Sequence, residues 1–535
     1  MNIVLYDTTL RDGTQRAGLS LSVEDKLKIA RRLDELGIHY IEGGWPGSNP
    51  KDAEFFRRIP GTALRHAKVA AFGSTRRAGI RCADDASLRA LAAANTPVVT
   101  LVGKSSTLHV ERVLETTRDE NLRMIAESVA FFKQLGKEVV YDAEHFFDGY
   151  AADPDYALAT VAAAADSGAD CVVLCDTNGG SLPVAVDACV RAVRALVRTP
   201  LGIHTHNDGG VALANALAAV TAGCVHVQGT INGYGERCGN MDLIPLIATL
   251  QLKLGYAPLP SERLPQLTEV AHAVAALANL NLDPHAPYVG RHAFTHKAGL
   301  HAAAVAKVPE SYQHIDPARV GNEMHVVVSE LAGRSNVRLR ARALGLEAGD
   351  REREVLQRLK ELENRGFQFE AAEGSFEMLV RRAAPDYAPP FETVGFTVVS
   401  EKHGEQTTAQ ARVDLRVAGV TWHGAADGQG PVNALDRAAR QALRHAHPEL
   451  ADLRLVDYKV RIVDEHLGTA AKPRVLIESD FGGERWTTTG CSENIIEASW
   501  QALSDSLELA LVRRRERRSA GKKATSRRSH TEAAT

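Results

Sequence analysis

The sequence predicts an α/β chain: a (β/α)8 TIM barrel, then a helical linker subdomain, then a C-terminal α+β domain of two related units. Three observations predict this. Eight short β-branched runs alternate with amphipathic helical stretches over residues 1–257, the count and size of such a barrel. Polar residues gather at the C-terminal end of run after run, where a barrel would bring them together. Near the end of the chain, similar residues recur 64 positions apart. A doubly wound sheet would have fewer strands and a glycine-rich first turn, which is absent.

The expected strands are IVLYD (3–7), YIEGG (40–44), KVAAF (68–72), VVTLV (98–102), EVVYDAE (138–144), CVVLCD (171–176), LGIHTH (201–206) and HVQGTI (226–231). Helical patterns such as Val23 to Leu36, Leu122 to Leu135 and Val184 to Val197 lie between them. From 258 to 384 the pattern is helical but irregular, and the proline-rich AAPDYAPPFE (383–392) reads as a linker. Residues 391–512 form the doubled unit: Trp422 matches Trp486, Val432 matches Ile496, Ala434 matches Ala498 and Leu443 matches Leu507. Each copy reads as ββα, and two such copies would pack with pseudo-twofold symmetry. Residues 513–535, beginning RRRERRSAGKK, read as a disordered basic tail.

A length of 535 residues calls for two or three domains. A net charge of −3 gives the whole molecule no nucleic-acid footprint. No apolar stretch is long enough to span a bilayer, and the N-terminus runs directly into a strand with no signal-peptide pattern, so a cytoplasmic protein without membrane partners is expected. The seven cysteines are an odd number, with no zinc-ribbon spacing, and read as free thiols in a reducing compartment.

Two pieces carry the chemistry: YDTTLRDGTQ (6–15) and HTHND (204–208). His204 and His206, spaced i, i+2 on a strand, point to one face. Asp12 adds a hard oxygen, so the three can hold a divalent metal and leave coordination positions open. Asn240, ending NGYGERCGN, can offer an amide oxygen as a fourth ligand. Mixed nitrogen and oxygen ligands suit Mn, Mg, Co or Zn. Arg11 brings a permanent charge beside the metal, suited to an enolate or alkoxide. Asp142 and Glu144 share a face of strand five and can orient substrate or act as base, or form a buried ion pair with Arg11. Thr177 offers a hydroxyl for a substrate carboxylate.

The pieces YDTTLRDGTQ, HTHND, NGYGERCGN and HKAGLH (296–301) resemble the 2-isopropylmalate, homocitrate and citramalate synthases of the DRE-TIM metallolyase superfamily. The resemblance covers nearly the whole chain. The spellings YDAEHFFDGY (141–150), SYQHIDPARVGN (311–322) and SELAGRSN (329–336) are most similar to a bacterial branch of (R)-citramalate synthases. It implies a Claisen-type condensation of acetyl-CoA with pyruvate and water. The runner-up is a 2-isopropylmalate synthase using 2-oxoisovalerate, and a metal-dependent C–C lyase or aldolase comes third. It also implies that Asp12, His204, His206 and Asn240 hold the metal, Arg11 stabilises oxyanionic charge, and Thr177 holds the substrate carboxylate. Glu144 would position substrate or help proton transfer. His301 and Tyr312 would reach the active site of the partner in a homodimer. The doubled C-terminal unit would sense an amino-acid effector, isoleucine. The pattern departs at Asp142, where a better-studied group has a bulky residue closing the pocket around the pyruvate methyl.

Overall fold

This computed structural model describes residues 3–329, 331–347, 349–463 and 465–532. They form two compact units. The first comprises Met1–Phe294 and Ile315–Met324, the second Thr295–His314 and His325–Thr535.

The first unit is a closed barrel of eight strands, each paired in parallel with its neighbours, the first closing on the eighth. The strands are β1 (Val4–Asp7), β2 (Tyr40–Gly44), β3 (Lys68–Ser74), β4 (Val98–Lys104), β5 (Glu138–Glu144), β6 (Cys171–Asp176), β7 (Leu201–Thr205) and β8 (His226–Gly229). All eight expected strands are present, to within two residues at each end.

Strand alternation sorts side chains into two layers. Leu5, Ile41, Val99, Tyr141, Leu174 and Ile203 face outward into the core between sheet and helices. Tyr6, Ala70, Val98, Val140 and Val173 pack together inside the barrel. The Tyr6 hydroxyl bonds Thr100 on β4, and the Gln228 amide on β8 bonds Asp142 on β5. Strands that are not neighbours can meet this way only through the barrel interior. Tyr6 and Tyr40 stack there, and His226 lies tilted against both.

The barrel unit does not stop at residue 257. The helix Leu267–Leu277 buries Leu267, Val270, Ala271 and Val274 in the same outer core, and that apolar face keeps the following segment with the barrel.

The second unit opens with a short parallel pair, β9 (Thr295–His296) and β10 (His325–Val326). The helices Arg334–Ala343, Glu352–Asn364 and Glu373–Arg382 enclose Val337, Val355, Leu359 and Phe376. The doubled domain follows, with one strand more per copy than expected. Strands β11 (Glu392–His403), β12 (Gln406–Val417) and β13 (Val420–Gly428) form one antiparallel sheet, followed by the helix Pro431–Leu443. Strands β14 (Arg454–Ile462), β15 (Pro473–Phe481) and β16 (Glu484–Cys491) form the other, followed by the helix from Ile495. Strands β11 and β14 are largely exposed on both faces, so they carry little of the alternation that marks a strand in sequence. Trp422 and Trp486 occupy the same position in β13 and β16.

The disorder expected from 513 is corrected at its start. The last helix runs from Ile495 to Glu532. Arg513 pairs with Glu377 and lies over the Trp486 ring, and Arg517 pairs with Glu484. The basic run therefore meets carboxylates of its own unit, which its composition could not reveal. Residues 533–535 lie outside the described residues.

Candidate metal centre and active site

Asp12 follows β1 at the C-terminal mouth of the barrel. His204 is in β7, and His206, one residue past it, is held by a bridge to Asn240. The ligand atoms of Asp12, His204 and His206 lie within 4.8 Å of one another, and all three residues are buried. The two imidazole Nε2 atoms are 3.2 Å apart, and His204 Nε2 is 3.8 Å from Asp12 Oδ2.

The donor set fits a divalent cation. Burial alone would raise the Asp12 carboxyl, but the Arg11 guanidinium and the two imidazoles outweigh it and hold it down at about 2. Burial, reinforced by His204, pushes His206 down to about 4, so the imidazole is neutral and can offer a lone pair. Asn240 donates from Nδ2 to Asp12 Oδ1 at 2.8 Å and to the Tyr234 carbonyl at 3.0 Å, while its own Oδ1 is buried with no hydrogen-bond partner among the described residues. The side-chain amide of Asn240 thus adjoins the candidate ligand Asp12, and its orphaned oxygen is the atom it could offer a cation.

The glycines of NGYGERCGN permit this. A Cβ on Gly235, at φ +153°, would sit 2.2 Å from Asn240 Nδ2, and one on Gly239, at φ +92°, 2.0 Å from the Gly233 carbonyl. Arg237 closes the same loop, with two bonds to Asp208, at 2.8 and 3.0 Å, and one to the Thr177 carbonyl.

Arg11 is fixed from three directions. Its Nε donates to Glu42 Oε2 at 2.6 Å and its Nη1 to Asp12 Oδ2 at 2.9 Å, while its guanidinium lies 3.8 Å from the centre of the Phe72 ring. The Nη2 group has no protein partner among the described residues. Glu42, fully buried, also accepts from the Tyr6 and Thr8 hydroxyls. Sequence reasoning missed Glu42. Its signal was a carboxylate within an otherwise apolar strand, which must find a partner when buried.

The ion pair considered between Arg11 and the strand-five carboxylates does not form. Glu144 pairs with Lys104, its register neighbour on β4. Asp142 is buried and accepts from Gln228 Nε2 at 2.9 Å. Burial, then the nearby charge of Glu42, raises Asp142 to about 8 against the pull of Arg11.

A cavity of about 770 Å³ opens at the mouth, lined in part by Arg11, Asp12, Lys104, Glu144, Thr177 and His206. Asp142 is not on its wall. The Thr177 hydroxyl accepts the His145 backbone N–H at 2.9 Å. His145 itself takes a left-handed backbone conformation, φ 58°, directly after Glu144 and stacks on His109 at 3.7 Å. His301 and Tyr312 belong to the second unit, where both are exposed and their rings stack at 4.2 Å. A larger cavity, about 840 Å³, lies within that unit against Ser375, Arg382, Trp500 and Asp505, and no expected site residue lines it. No helix among the described residues is long and apolar enough to cross a membrane.

Three family models match along the chain: HMGL-like over residues 2–274, the homocitrate synthase post-HMGL domain-like family over 288–366, and the LeuA allosteric (dimerisation) domain over 370–511. An (R)-citramalate synthase of Geobacter sulfurreducens is 49% identical over 514 residues, 95% of this chain and 97% of the relative. One of Synechocystis sp. is 51% identical over 524 residues, 95% of this chain and 96% of the relative. A 2-isopropylmalate synthase of Methanocaldococcus jannaschii is 28% identical over 517 residues, 96% of this chain and 95% of the relative. The barrel motifs alone would leave these two kinds of synthase together. The level of identity over nearly the whole chain separates them, and by that measure the chain belongs to the (R)-citramalate synthase family.

Proposed function

We propose that the chain condenses acetyl-CoA with pyruvate and water to give (R)-citramalate and CoA, a committed step toward isoleucine, in the cytoplasm. The observation that supports this most is the wide gap in identity between its (R)-citramalate synthase relatives and a 2-isopropylmalate synthase. A proton leaves the acetyl methyl, the new carbon–carbon bond forms at C2 of pyruvate, and water then breaks the thioester to release the CoA thiol.

Asp12, His204, His206 and Asn240 would hold a divalent metal, Mn, Mg, Co or Zn, which supplies a Lewis acid for the 2-oxo acid carbonyl. Arg11 donates from its remaining amino group to the oxygen that gains negative charge, in an orientation Glu42 has already set. The Thr177 oxygen accepts from His145, so its own proton is available to a substrate carboxylate. Glu144, at the wall beside Lys104, is placed to orient substrate or receive a proton. The exposed pair His301 and Tyr312 would act in the partner subunit of a homodimer. The doubled C-terminal domain would bind isoleucine at its pseudo-symmetric interface and bias the enzyme between two states it binds differently.

The test is a panel of 2-oxo acids with acetyl-CoA, following free thiol release. Pyruvate should give the highest kcat/KM. A preference for 2-oxoisovalerate would move the chain to leucine synthesis, and cleavage of a 3-hydroxyacyl-CoA without any condensation would make it a lyase.

A further inference from the structure

Gln228 lies in β8, inside the barrel and away from the cavity wall. Its Oε1 is 2.8 Å from His204 Nδ1, and its Nε2 is 2.9 Å from Asp142 Oδ1. His204, Gln228 and Asp142 are all buried. His206 has no such support among the described residues: its Nδ1 is buried without a hydrogen-bond partner there. One of the two imidazoles is therefore held by the protein and the other is not.

The hold has a chemical consequence. A neutral imidazole carries one ring proton. When His204 Nδ1–H donates to the amide oxygen, Nε2 keeps its lone pair, and Nε2 is the nitrogen facing His206 and Asp12. An amide turned end for end would donate to Nδ1 instead. The ring proton would then sit on Nε2, pointing into the space a cation must enter. The far end of the amide decides between the two. Asp142 Oδ1 accepts when the carboxyl is ionised or carries its proton on Oδ2, and this draws the NH2 end toward itself and the oxygen toward His204.

We propose that Gln228, braced by Asp142, is the positioning residue that holds His204 in the tautomer a metal ligand requires. Asp142 thereby serves the metal centre rather than the substrate pocket. This reassigns the place where the sequence departs from the better-studied synthases. The side chain there does not close a wall around the substrate methyl; it reaches across the barrel to β8. The inference rests on the metal centre and not on which 2-oxo acid is used, because its first readout is metal binding.

The experiment titrates metal-free enzyme with Mn²⁺ and follows the free-ion electron paramagnetic resonance signal. Outer partners of metal-bound histidines typically contribute about 10–100-fold in affinity. Gln228→Leu, similar in bulk but without an acceptor, should weaken Mn²⁺ binding by about that factor. Gln228→Glu keeps an acceptor toward Nδ1 and should stay within a few-fold of wild type. Asp142→Leu releases the amide and should weaken Mn²⁺ while leaving KM for the 2-oxo acid unchanged at saturating metal. A Gln228→Leu protein that binds Mn²⁺ like wild type, or a Gln228→Glu protein as weak as Gln228→Leu, would overturn the proposal. So would a raised KM in Asp142→Leu at saturating metal. If the leucine variants do not fold, ¹⁵N-histidine spectra of the metal-free wild-type enzyme decide: His204 Nδ1 should carry the proton, and a protonated Nε2 would refute the assignment.

Discussion

Glu42 is the residue whose removal the structure makes most informative. Three donors converge on its two oxygens: Tyr6 Oη, Thr8 Oγ1 and Arg11 Nε. Glu42→Ala would leave a buried guanidinium with Asp12 as its single carboxylate and strand two hydroxyls around a void. Breaking one side of a buried ion pair costs about 3–5 kcal/mol. Glu42→Gln is a sharper probe. Its oxygen can take the place shared by Thr8 and Arg11, with its NH2 end facing Tyr6. Tyr6 can accept there and donate to Thr100, 2.6 Å away, instead. Every group stays satisfied, and what is lost is the charge, worth about 1–2 kcal/mol for one charge-assisted bond made neutral. Thermal unfolding of the metal-free protein should therefore rank wild type above Gln and Gln well above Ala. Because the amide oxygen still orients Nε, kcat/KM of Glu42→Gln should fall by about tenfold or less, whereas Ala should approach the roughly 10²–10³ loss of a missing oxyanion donor. Equal losses of stability and activity in Gln and Ala would refute the reasoning: charge alone, not donor geometry, would then hold Arg11.

Other expectations follow from the same geometry. Chelator should abolish turnover and added Mn²⁺ or Mg²⁺ restore it, and His206→Ala should lose metal affinity yet unfold cooperatively, since the barrel core is built from other residues; full activity without metal would exclude the centre. Burial raises Asp7 from 3.8 to about 7 against its bonds from Thr9. A raised acid favours its protonated form in the folded state, so this contribution, roughly 4 kcal/mol at about 1.4 kcal/mol per unit, is complete below the unfolded value and lost as pH rises through about 7. Asp7→Asn should flatten the fall in thermal midpoint between about pH 4 and 7, and an unchanged slope would place the ionisation elsewhere. Mixing inactive Arg11→Ala with inactive His301→Ala should restore some activity, because one mouth of the mixed dimer receives both intact residues; failure with subunit exchange verified would remove His301 from the partner's site. Truncation after Ala384 should abolish isoleucine inhibition, and inhibition that survives in folded truncated enzyme would move the effector site.

The sequence by itself determined the barrel, because its signal is local. β-branched runs with period two and helices with period 3.6 are written into neighbouring residues, and the ends of the runs name the mouth. His204 and His206 were legible because their spacing is a strand's. Asp12 and Asn240 were legible as polar residues at other strand ends. The tertiary structure alone decided the partners. Glu42 beneath Arg11, Lys104 against Glu144 and Gln228 between Asp142 and His204 are contacts across or between strands, set by barrel closure and register, and no spacing along the chain encodes them. The same holds for the basic run after residue 512, whose arginines read as a tail until Glu377 and Glu484 are seen beside them. Local periodicity fixes which residues share a face; only closure of the sheet and packing of the helices fix which faces meet, and charge pairing follows the faces.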